Sequence, residues 1–439
     1  FGDMQPYVYR TGDYGRTWQR LVGPGTPGVR GYAHVIKEDR DNPNILYLGT
    51  EFGMFVSLNS GASWAQFKPN NFPDGVAVRD IALQERDDDL VLATHGRGIW
   101  VIDDVSPLRQ LSPAVLAGNV ALLPGKPVEQ RIEGGGGWAE GNGTFYGQNP
   151  PGGAQITYYQ KARHVIGRMK LEIVDAAGNV VDEIPASKRR GLNRVSWAMR
   201  TKPPQVPPAA SLAGASATGE RILPGNYTVR LTKAGQVVTA PMPITLDRRA
   251  KYSVADRQAQ FAAAERVKGL FARMSKTVAQ INGVRAQTGA LAAAATAPAN
   301  VKTAASALLA KADALRKEIV ATTEGGAITG EERLRENVDE IYGAINSTED
   351  RPTNYQLARI DALDRQLKDV EAQWAALQAG DIAAFNALLR SANLPPLRMA
   401  EVDVESRAHG GRVSALARGL LGARFIGDLG ALEETGEKD

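Results

Sequence analysis

Three side chains in the first quarter of the chain have the chemistry to bind a polar ligand. His95 and Arg97 lie in the segment Thr94-His-Gly-Arg-Gly98, close to an apolar run that reads as a strand. An arginine guanidinium can hold a carboxylate or a phosphate through two parallel hydrogen bonds. Glu51 follows the preceding strand-like run in a comparable place. We predict that Glu51, His95 and Arg97 contact a ligand. The alternative is that they hydrogen-bond the backbone of neighbouring strands.

The other reactive side chains do not complete a site. Glycoside hydrolysis needs two carboxyl groups across a cleft. Asp103 and Asp104 are adjacent, so on a strand they would point to opposite faces, and residues 87–89 form a charged turn. The chain has no cysteine, and no short metal-binding spacing connects the four histidines, His34, His95, His164 and His409. We therefore predict no catalytic residue, no metal and no cofactor in this chain.

A repeated turn motif must position the candidate residues. Its first copy has an acceptor side chain, a glycine for the turn, a β-branched residue and a covering tryptophan, at Thr11, Asp13, Gly15, Thr17 and Trp18. The second copy has the same spacing, at Ser57, Asn59, Gly61, Ser63 and Trp64. Asn59 follows Asp13 by 46 residues, and Trp64 follows Trp18 by the same distance. This period suits a four-stranded blade of a β-propeller, whose inner strands line the ligand-binding channel.

The motif resembles the Asp-box, or BNR, repeat of sialidase-like and sortilin-like β-propellers. The first copy matches fully, and the second replaces Asp by Asn59 and Thr by Ser63. The flanking segments 41–50 and 93–104 also look like bacterial secreted proteins labelled "glycosyl hydrolase" or "sortilin-like, BNR-repeat". In those families the box is a structural turn and not a catalytic site. The resemblance implies a secreted or periplasmic bacterial protein.

Composition excludes some classes of function. The 439 residues carry a formal net charge of +4, and Lys and Arg are scattered, so neither nucleic acid nor an anionic membrane is indicated as a partner. The densest basic cluster, 188–190, reads as a solvated turn, with an anion site as the alternative. No apolar run is long enough to span a bilayer. The chain begins at Phe1 inside a repeat, without a signal peptide, so we expect a C-terminal fragment whose export signal and remaining blades lie upstream.

The pattern along the chain predicts a multidomain protein that is mainly β and then all-α. Residues 202–218, rich in Pro, Ala and Ser, read as a mobile loop within the second β domain. From residue 253 the apolar period changes from two to about 3.6, which indicates helices. The predicted parts are partial Asp-box propeller blades (1–105), a linker with one strand (106–153), an immunoglobulin- or fibronectin-like sandwich (154–250), an antiparallel helical bundle (251–395) and a tail with a possible short helix (396–439).

Three functions fit this organisation. The first is a structural and ligand-binding part of a secreted Asp-box propeller, with a glycan or a peptide as ligand and the missing blades as partners. The second, implied by the resemblance to sialidase-like and xyloglucanase-like propellers, is an accessory part of a glycoside hydrolase whose carboxylates lie mainly upstream. The third is an assembly scaffold that docks through its helices.

Overall fold

Sheets precede helices in the structure, which confirms the predicted order of a mainly β part followed by an all-α part. The computed structural model describes residues 2–68, 72–132, 152–325 and 330–399. The described residues divide into two compact units, 2–199 with 224–249 and 200–223 with 250–399. The predicted helix within 413–425 and His409 lie outside the described residues.

Three consecutive antiparallel sheets occupy the first part of the first unit. Their polar turns alternate with short β-branched and aromatic runs, which favour strands. The first sheet pairs β1 (Val8–Arg10) with β2 (Gln19–Val22). The second has the order β3 (Ala33–Glu38), β4 (Leu46–Thr50), β5 (Gly53–Ser57) and β6 (Ala65–Gln66). The third has the order β7 (Val78–Gln84), β8 (Asp89–Thr94) and β9 (Ile99–Ile102).

The two central strands of the second sheet, β4 and β5, are buried on both faces. Because side chains alternate along a strand, Tyr47 and Leu48 of β4 point to opposite sides. Tyr47 joins a core with residues of the third sheet, whereas Leu48 joins a separate core that includes Val8 and Val22 of the first sheet. The three sheets therefore follow one another through two apolar cores, one on each face of the second sheet.

Both copies of the repeated motif form the turn that the sequence predicts. Asp13 accepts hydrogen bonds from the backbone N–H of Thr17 at 2.9 Å and from its hydroxyl at 2.8 Å. Asn59 makes the corresponding contacts with Ser63 at 2.9 and 2.8 Å, donating through its amide to the hydroxyl. Gly15 has a φ of 85°, in the left-handed region that glycine tolerates. The first turn joins β1 to β2, and the second joins β5 to β6.

Two further sheets complete the first unit. One has the order β10 (Val120–Leu123), β12 (Ala154–Gln160) and β15 (Gly191–Trp197). The other has the order β11, β17, β16, β13 and β14, with bounds Val128–Gln130, Gln236–Leu246, Gly225–Lys233, Met169–Val174 and Val180–Ile184. All their pairings are antiparallel except β11 with β17.

The segment 106–153 differs from the predicted linker with one strand. It holds a 3₁₀ helix (Ser106–Gln110), helix α1 (Pro113–Ala117), β10 and β11, while residues 133–151 lie outside the described part. The sequence pattern places the one strand of this linker over 115–123. Its first half was wrong, because Ser112 caps α1 by accepting a hydrogen bond from the Val115 N–H. Because β10 and β11 pair with β12 and β17, this part of the segment belongs to the later sheets.

The described part of the second unit contains five α-helices and a π-helical turn, together with the segment 200–223, which includes a 3₁₀ helix (Ala215–Ala217). Their bounds are α2 Val254–Ala293, α3 Ala299–Ile319, α4 Leu334–Asn346, α5 Asn354–Leu377, the π turn Gln378–Ile382 and α6 Ala383–Ser391. They share one apolar core that contains the predicted helical stripes. No helix in the described parts of the chain combines the length and apolar character needed to cross a bilayer.

The pattern Thr329-x-x-Glu332 predicts a capping box at the start of one helix, and Asp381 predicts the cap of another. Thr329 lies outside the described residues, and α4 begins later, at Leu334, where Glu336 accepts from the backbone N–H of Arg333. Asp381 does not cap a new helix, because the chain continues helically from α5 through the π turn into α6. The carboxylate of Asp381 instead pairs with Lys311 at 2.6 Å.

The insert 202–218 packs on the helices and does not form the predicted loop of the sheets. Ser211 donates to Glu336 at 2.6 Å, and the backbone N–H groups of Ala215 and Ser216 donate to Asp339 at 3.1 and 2.8 Å. These contacts place the insert in the second unit, because its backbone donors find their acceptors on α4.

Candidate functional site

Glu51 lies at the centre of a polar cluster in the turn between β4 and β5. Its Oε2 is 2.8 Å from Nε2 of His34 and 3.7 Å from Nη2 of Arg79. Nη1 of Arg79 is in turn 3.3 Å from Nδ1 of His34. The Tyr32 ring packs edge-on against His34 with centroids 4.7 Å apart. The four side chains form a closed network of one carboxylate with a cation, an imidazole and a phenol.

The network keeps Glu51 ionised. Hydrogen bonds from His34 and then Tyr32 hold the pKa of Glu51 below its usual value. The same bond to Glu51 raises the pKa of Tyr32, because a phenolate would face a carboxylate. The Arg79 guanidinium donates to Nδ1 of His34, so the neutral ring carries its proton on Nε2, facing Glu51. Glu51 is thus a fixed anion rather than a proton donor.

His34 and Arg79 occupy equivalent positions in consecutive sheets. The register between β3 and β4 shifts at His34, between Ala33 and Val35, and the register between β7 and β8 shifts at Arg79, between Val78 and Asp80. Each residue is therefore the extra residue of a β-bulge, a feature that redirects a side chain and is frequent beside active sites. By the same register, Glu51 after β4 corresponds to His95 after β8.

His95 and Arg97 lie apart from the Glu51 network. Both are exposed in the turn between β8 and β9. The backbone N–H of His95 donates to Ala77 at 2.9 Å, and the carbonyl of Arg97 accepts from Trp100 Nε1 at 3.0 Å. Within the described residues, the side chains of His95 and Arg97 form no hydrogen bond or ion pair. In particular, neither side chain pairs with Glu51 in this part of the chain. Their backbone is held by hydrogen bonds while their polar side-chain ends remain available to a ligand.

The sequence reasoning missed Tyr32, His34 and Arg79. The strand Ala33–Glu38 was not predicted, because it mixes small, charged and apolar residues without strict alternation. A signal was present: Arg79 follows His34 by 45 residues, close to the period of the repeated turn. Aligning the two repeats around that period would have paired these residues.

A second candidate site is a cleft of about 190 Å³ in the first unit. Its walls are mixed apolar and polar, and the polar lining includes Asp89, Asp103, Asp104 and Arg131. The prediction that Asp103 and Asp104 point to opposite faces was wrong, because β9 ends at Ile102 and strand alternation stops there. Both aspartates line the cleft.

Two of these carboxyl groups have a pKa above the ordinary aspartate value. Burial raises the pKa of Asp103, and the nearby charge of Asp89 raises it further. Burial also raises the pKa of Asp89, although Asp89 accepts a hydrogen bond from the Asp104 N–H at 2.9 Å. Beneath them, Arg194 donates to the carbonyls of Asp103 and Asp104 at 2.7 and 2.6 Å. A carboxyl group whose pKa is raised is better suited to act as a general acid than an ordinary aspartate.

Neither His164 nor a metal-binding cluster provides a further candidate site among the described residues. His164, within the segment 161–168, is buried, and its Nε2 has no hydrogen-bond partner within the described residues. In the same part of the chain, no cluster of three or more His, Asp or Glu side chains is arranged to hold a metal ion.

Comparisons with known proteins give little information. No protein-family model matches the chain, and no curated protein matches it. Among solved structures it is similar to a "Biofilm associated protein - BSP domain", with 11% identity over 47% of this chain and a TM-score of 0.16. The match spans 28% of that structure's chain. At this TM-score the similarity carries no argument about fold or function.

Proposed function

We propose that the first unit contributes consecutive blades to an Asp-box β-propeller that binds a glycan or peptide through its β4–β5 and β8–β9 turns. The observation that carries the proposal is the repeated geometry of the second and third sheets. Each has a bulge residue, His34 or Arg79, and a polar residue at the equivalent position of the following turn, Glu51 or His95. Repeated inner strands with repeated polar side chains are typical of propeller channels.

The third sheet supports the presence of a further blade. By register, Met54 and Val56 of β5 correspond to Ile99 and Val101 of β9. Met54 and Val56 are buried in the core shared with the third sheet. Ile99 and Val101, in contrast, are 73% and 50% exposed. Apolar residues thus occupy positions that would be buried if another sheet packed on the third as the third packs on the second.

The ligand-binding ends of Arg79, His95 and Arg97 favour a ligand with carboxylate or hydroxyl groups. Glu51 neutralises part of the charge of Arg79, while Arg97 keeps all five of its donors. The aromatic ring of Phe52, half exposed beside Glu51, offers a surface on which a sugar or an apolar side chain can pack. We place the protein outside the bacterial cytoplasm on the strength of its Asp-box resemblance.

The test is ligand binding by the full chain on glycan and peptide arrays, followed by titration of any hit. The first variants are His95→Ala and Arg97→Ala, because these side chains have no partners to lose and the fold should remain intact. Arg16→Ala, an exposed arginine in the first Asp-box turn, is the matched control. We expect the two site variants to weaken binding at least tenfold and the control to leave it unchanged. Equal binding by all three variants would refute the site.

A second candidate function is hydrolysis of a glycosidic bond in the acidic cleft. It is favoured by the raised pKa values of Asp89 and Asp103, which suit a carboxyl pair that shares acid and base roles. The assay is turnover of chromogenic glycosides by the full chain and by Asp103→Asn, with Asp74→Asn as an exposed control. Turnover abolished only by Asp103→Asn would move the function to the cleft. Absence of turnover in the native protein would remove this candidate.

A further inference from the structure

We propose that one end of the sheets around β13 and β16 binds anionic phospholipid membranes and inserts the Val165–Ile166 tip into the bilayer. Three connections form this surface, which we call the basic end: 161–168 between β12 and β13, 185–190 between β14 and β15, and 233–236 between β16 and β17. The inference is independent of the propeller proposal, because it rests on different residues.

Direct contacts hold the three connections together. The His164 N–H donates to the Lys188 carbonyl at 2.9 Å, and Lys188 Nζ donates to the Gly167 carbonyl at 3.1 Å. Lys233 Nζ donates to the Ala162 carbonyl at 3.3 Å. Since these bonds run between the connections, the tip is carried on a defined surface rather than on an isolated loop.

The basic end brings together cationic side chains that lie far apart in the sequence. None of the three connections contains Asp or Glu, and together they hold seven cations: Lys161, Arg163, Arg168, Lys188, Arg189, Arg190 and Lys233. Arg168 pairs with Glu183 at 2.5 Å. Arg163 has no hydrogen bond or ion pair among the residues that the structure describes. Clusters of four or more cations attract anionic lipid headgroups.

The exposed apolar side chains of the tip favour an anionic bilayer over a soluble polyanion as the ligand. Val165 is 75% exposed and Ile166 is 88% exposed, and they lie between Arg163 and Arg168. A nucleic acid or an acidic polysaccharide would satisfy the cations but leave both aliphatic side chains in water. An anionic bilayer satisfies both, because the cations remain at the headgroups while the aliphatic tip enters the acyl boundary.

The first experiment is co-sedimentation of the full chain with phosphatidylcholine vesicles, with or without phosphatidylglycerol. We expect binding only when phosphatidylglycerol is present, and weakening from about 0.1 M to about 1 M salt as the Debye length falls from ~10 Å to ~3 Å. Arg163→Glu should weaken binding by about fivefold or more, since one cation near the surface contributes about that factor. Lys276→Glu, on an exposed position of α2, is the matched charge control.

The second experiment locates the tip directly. Because the chain has no cysteine, Ile166→Cys provides a single attachment point for an environment-sensitive fluorophore. We expect its emission to shift to the blue on anionic vesicles, and a label at Leu212→Cys, which is almost fully exposed in the second unit, to show no shift. The pair Val165→Ser with Ile166→Ser should reduce vesicle binding about tenfold or more.

Three results would overturn the proposal. The native chain could fail to bind anionic vesicles. It could bind them without a shift at position 166 and without any effect of the Val165→Ser and Ile166→Ser pair. It could also bind soluble heparin as tightly as vesicles and independently of the tip, which would assign the basic end to a soluble polyanion. Circular dichroism of each variant distinguishes loss of binding from loss of fold.

Discussion

Replacing Arg109 by methionine should destabilise the first unit strongly, because this side chain compensates two buried carboxylates. Arg109 lies in the 3₁₀ helix after the third sheet. Its Nε and Nη2 donate to Asp39 at 2.8 and 3.1 Å, and Nη2 also donates to Asp88 at 2.9 Å. The Asp39 side chain is completely buried and that of Asp88 is 3% exposed. Arg109→Met retains the apolar stem and removes only the charge and its donors.

The contacts that Asp39 and Asp88 keep determine how much stability the Arg109→Met variant loses. Removing one partner of a buried ion pair costs about 3–5 kcal/mol. Asp39 would keep the Tyr47 hydroxyl and two backbone N–H donors, and Asp88 would keep Lys126. Since neither carboxylate is left without a partner, we expect a loss near the lower end, about 3 kcal/mol. This corresponds to about a 100-fold loss of protection for amides that exchange through unfolding of this unit.

Hydrogen exchange followed by mass spectrometry measures this loss separately in each unit. Peptides covering β4 and β8 should lose protection, whereas α5 in the second unit is the internal reference. Arg86→Met removes an exposed guanidinium whose partner among the described residues is the neighbouring Asp87, so it should leave β4 and β8 unchanged. Adding Asp39→Asn to Arg109→Met should restore part of the protection, because one uncompensated charge disappears. Equal losses in Arg109→Met and Arg86→Met would refute the reasoning.

The pH dependence provides an independent check on the same network. Burial alone would raise the pKa of Asp88, but hydrogen bonds from Arg109 and Lys126 outweigh it and hold the pKa below its ordinary value. A lowered pKa stabilises the fold above the unfolded-state pKa, and that contribution is lost as the pH falls through the folded-state pKa. The difference between native protein and Arg109→Met should therefore be large at neutral pH and shrink in acid.

Three other predictions test local features. Hydrogen bonds from the Thr17 backbone and hydroxyl lower the pKa of Asp13, so the first turn should lose protection from hydrogen exchange as the pH falls below about 4, the ordinary pKa range of an aspartate. The turn at the uncharged Asn59 should keep its protection, and equal acid sensitivity of the two turns would contradict this reasoning. Burial and a hydrogen bond with Glu220 raise the pKa of Glu265, so Glu265→Gln should stabilise the second unit above that pKa and not below it, as followed by urea denaturation at several pH values. Leu367→Ala should cost about 2–5 kcal/mol in thermal or urea unfolding, because Leu367 is fully buried, and Leu212→Ala on the surface should cost almost nothing.

Turn chemistry and helix periodicity could be predicted because their causes are local. The hydrogen bonds of Asp13 and Asn59 reach no further than four residues, so the motif itself contains all the partners. The capping boxes at Ser253 and Thr353 likewise close over three residues. The apolar stripes of α2 and α5 repeat with the helical period and enter the core as predicted.

The candidate site could be predicted only in part. Glu51 was identified from its place after a strand, yet its partners His34 and Arg79 lie 17 and 28 residues away. Their approach depends on two β-bulges, which alter the register of otherwise ordinary strands and leave no fixed motif. His95 and Arg97 were identified by the same reasoning, and the structure leaves their side chains without partners within its described residues.

The sequence by itself determined the turns, the strands with clear alternation, the helical stripes and the order of β and α parts, because each depends on neighbours within a few residues. The tertiary structure decided which charged side chains are buried, which are paired and which lie close together. Asp88 reads as one of three aspartates in a charged turn, but a guanidinium 21 residues later makes it part of a buried network. The cations of the basic end are dispersed over more than 70 residues and meet only where three connections converge. Electrostatic interactions depend on distance in space, and that distance is set by the fold.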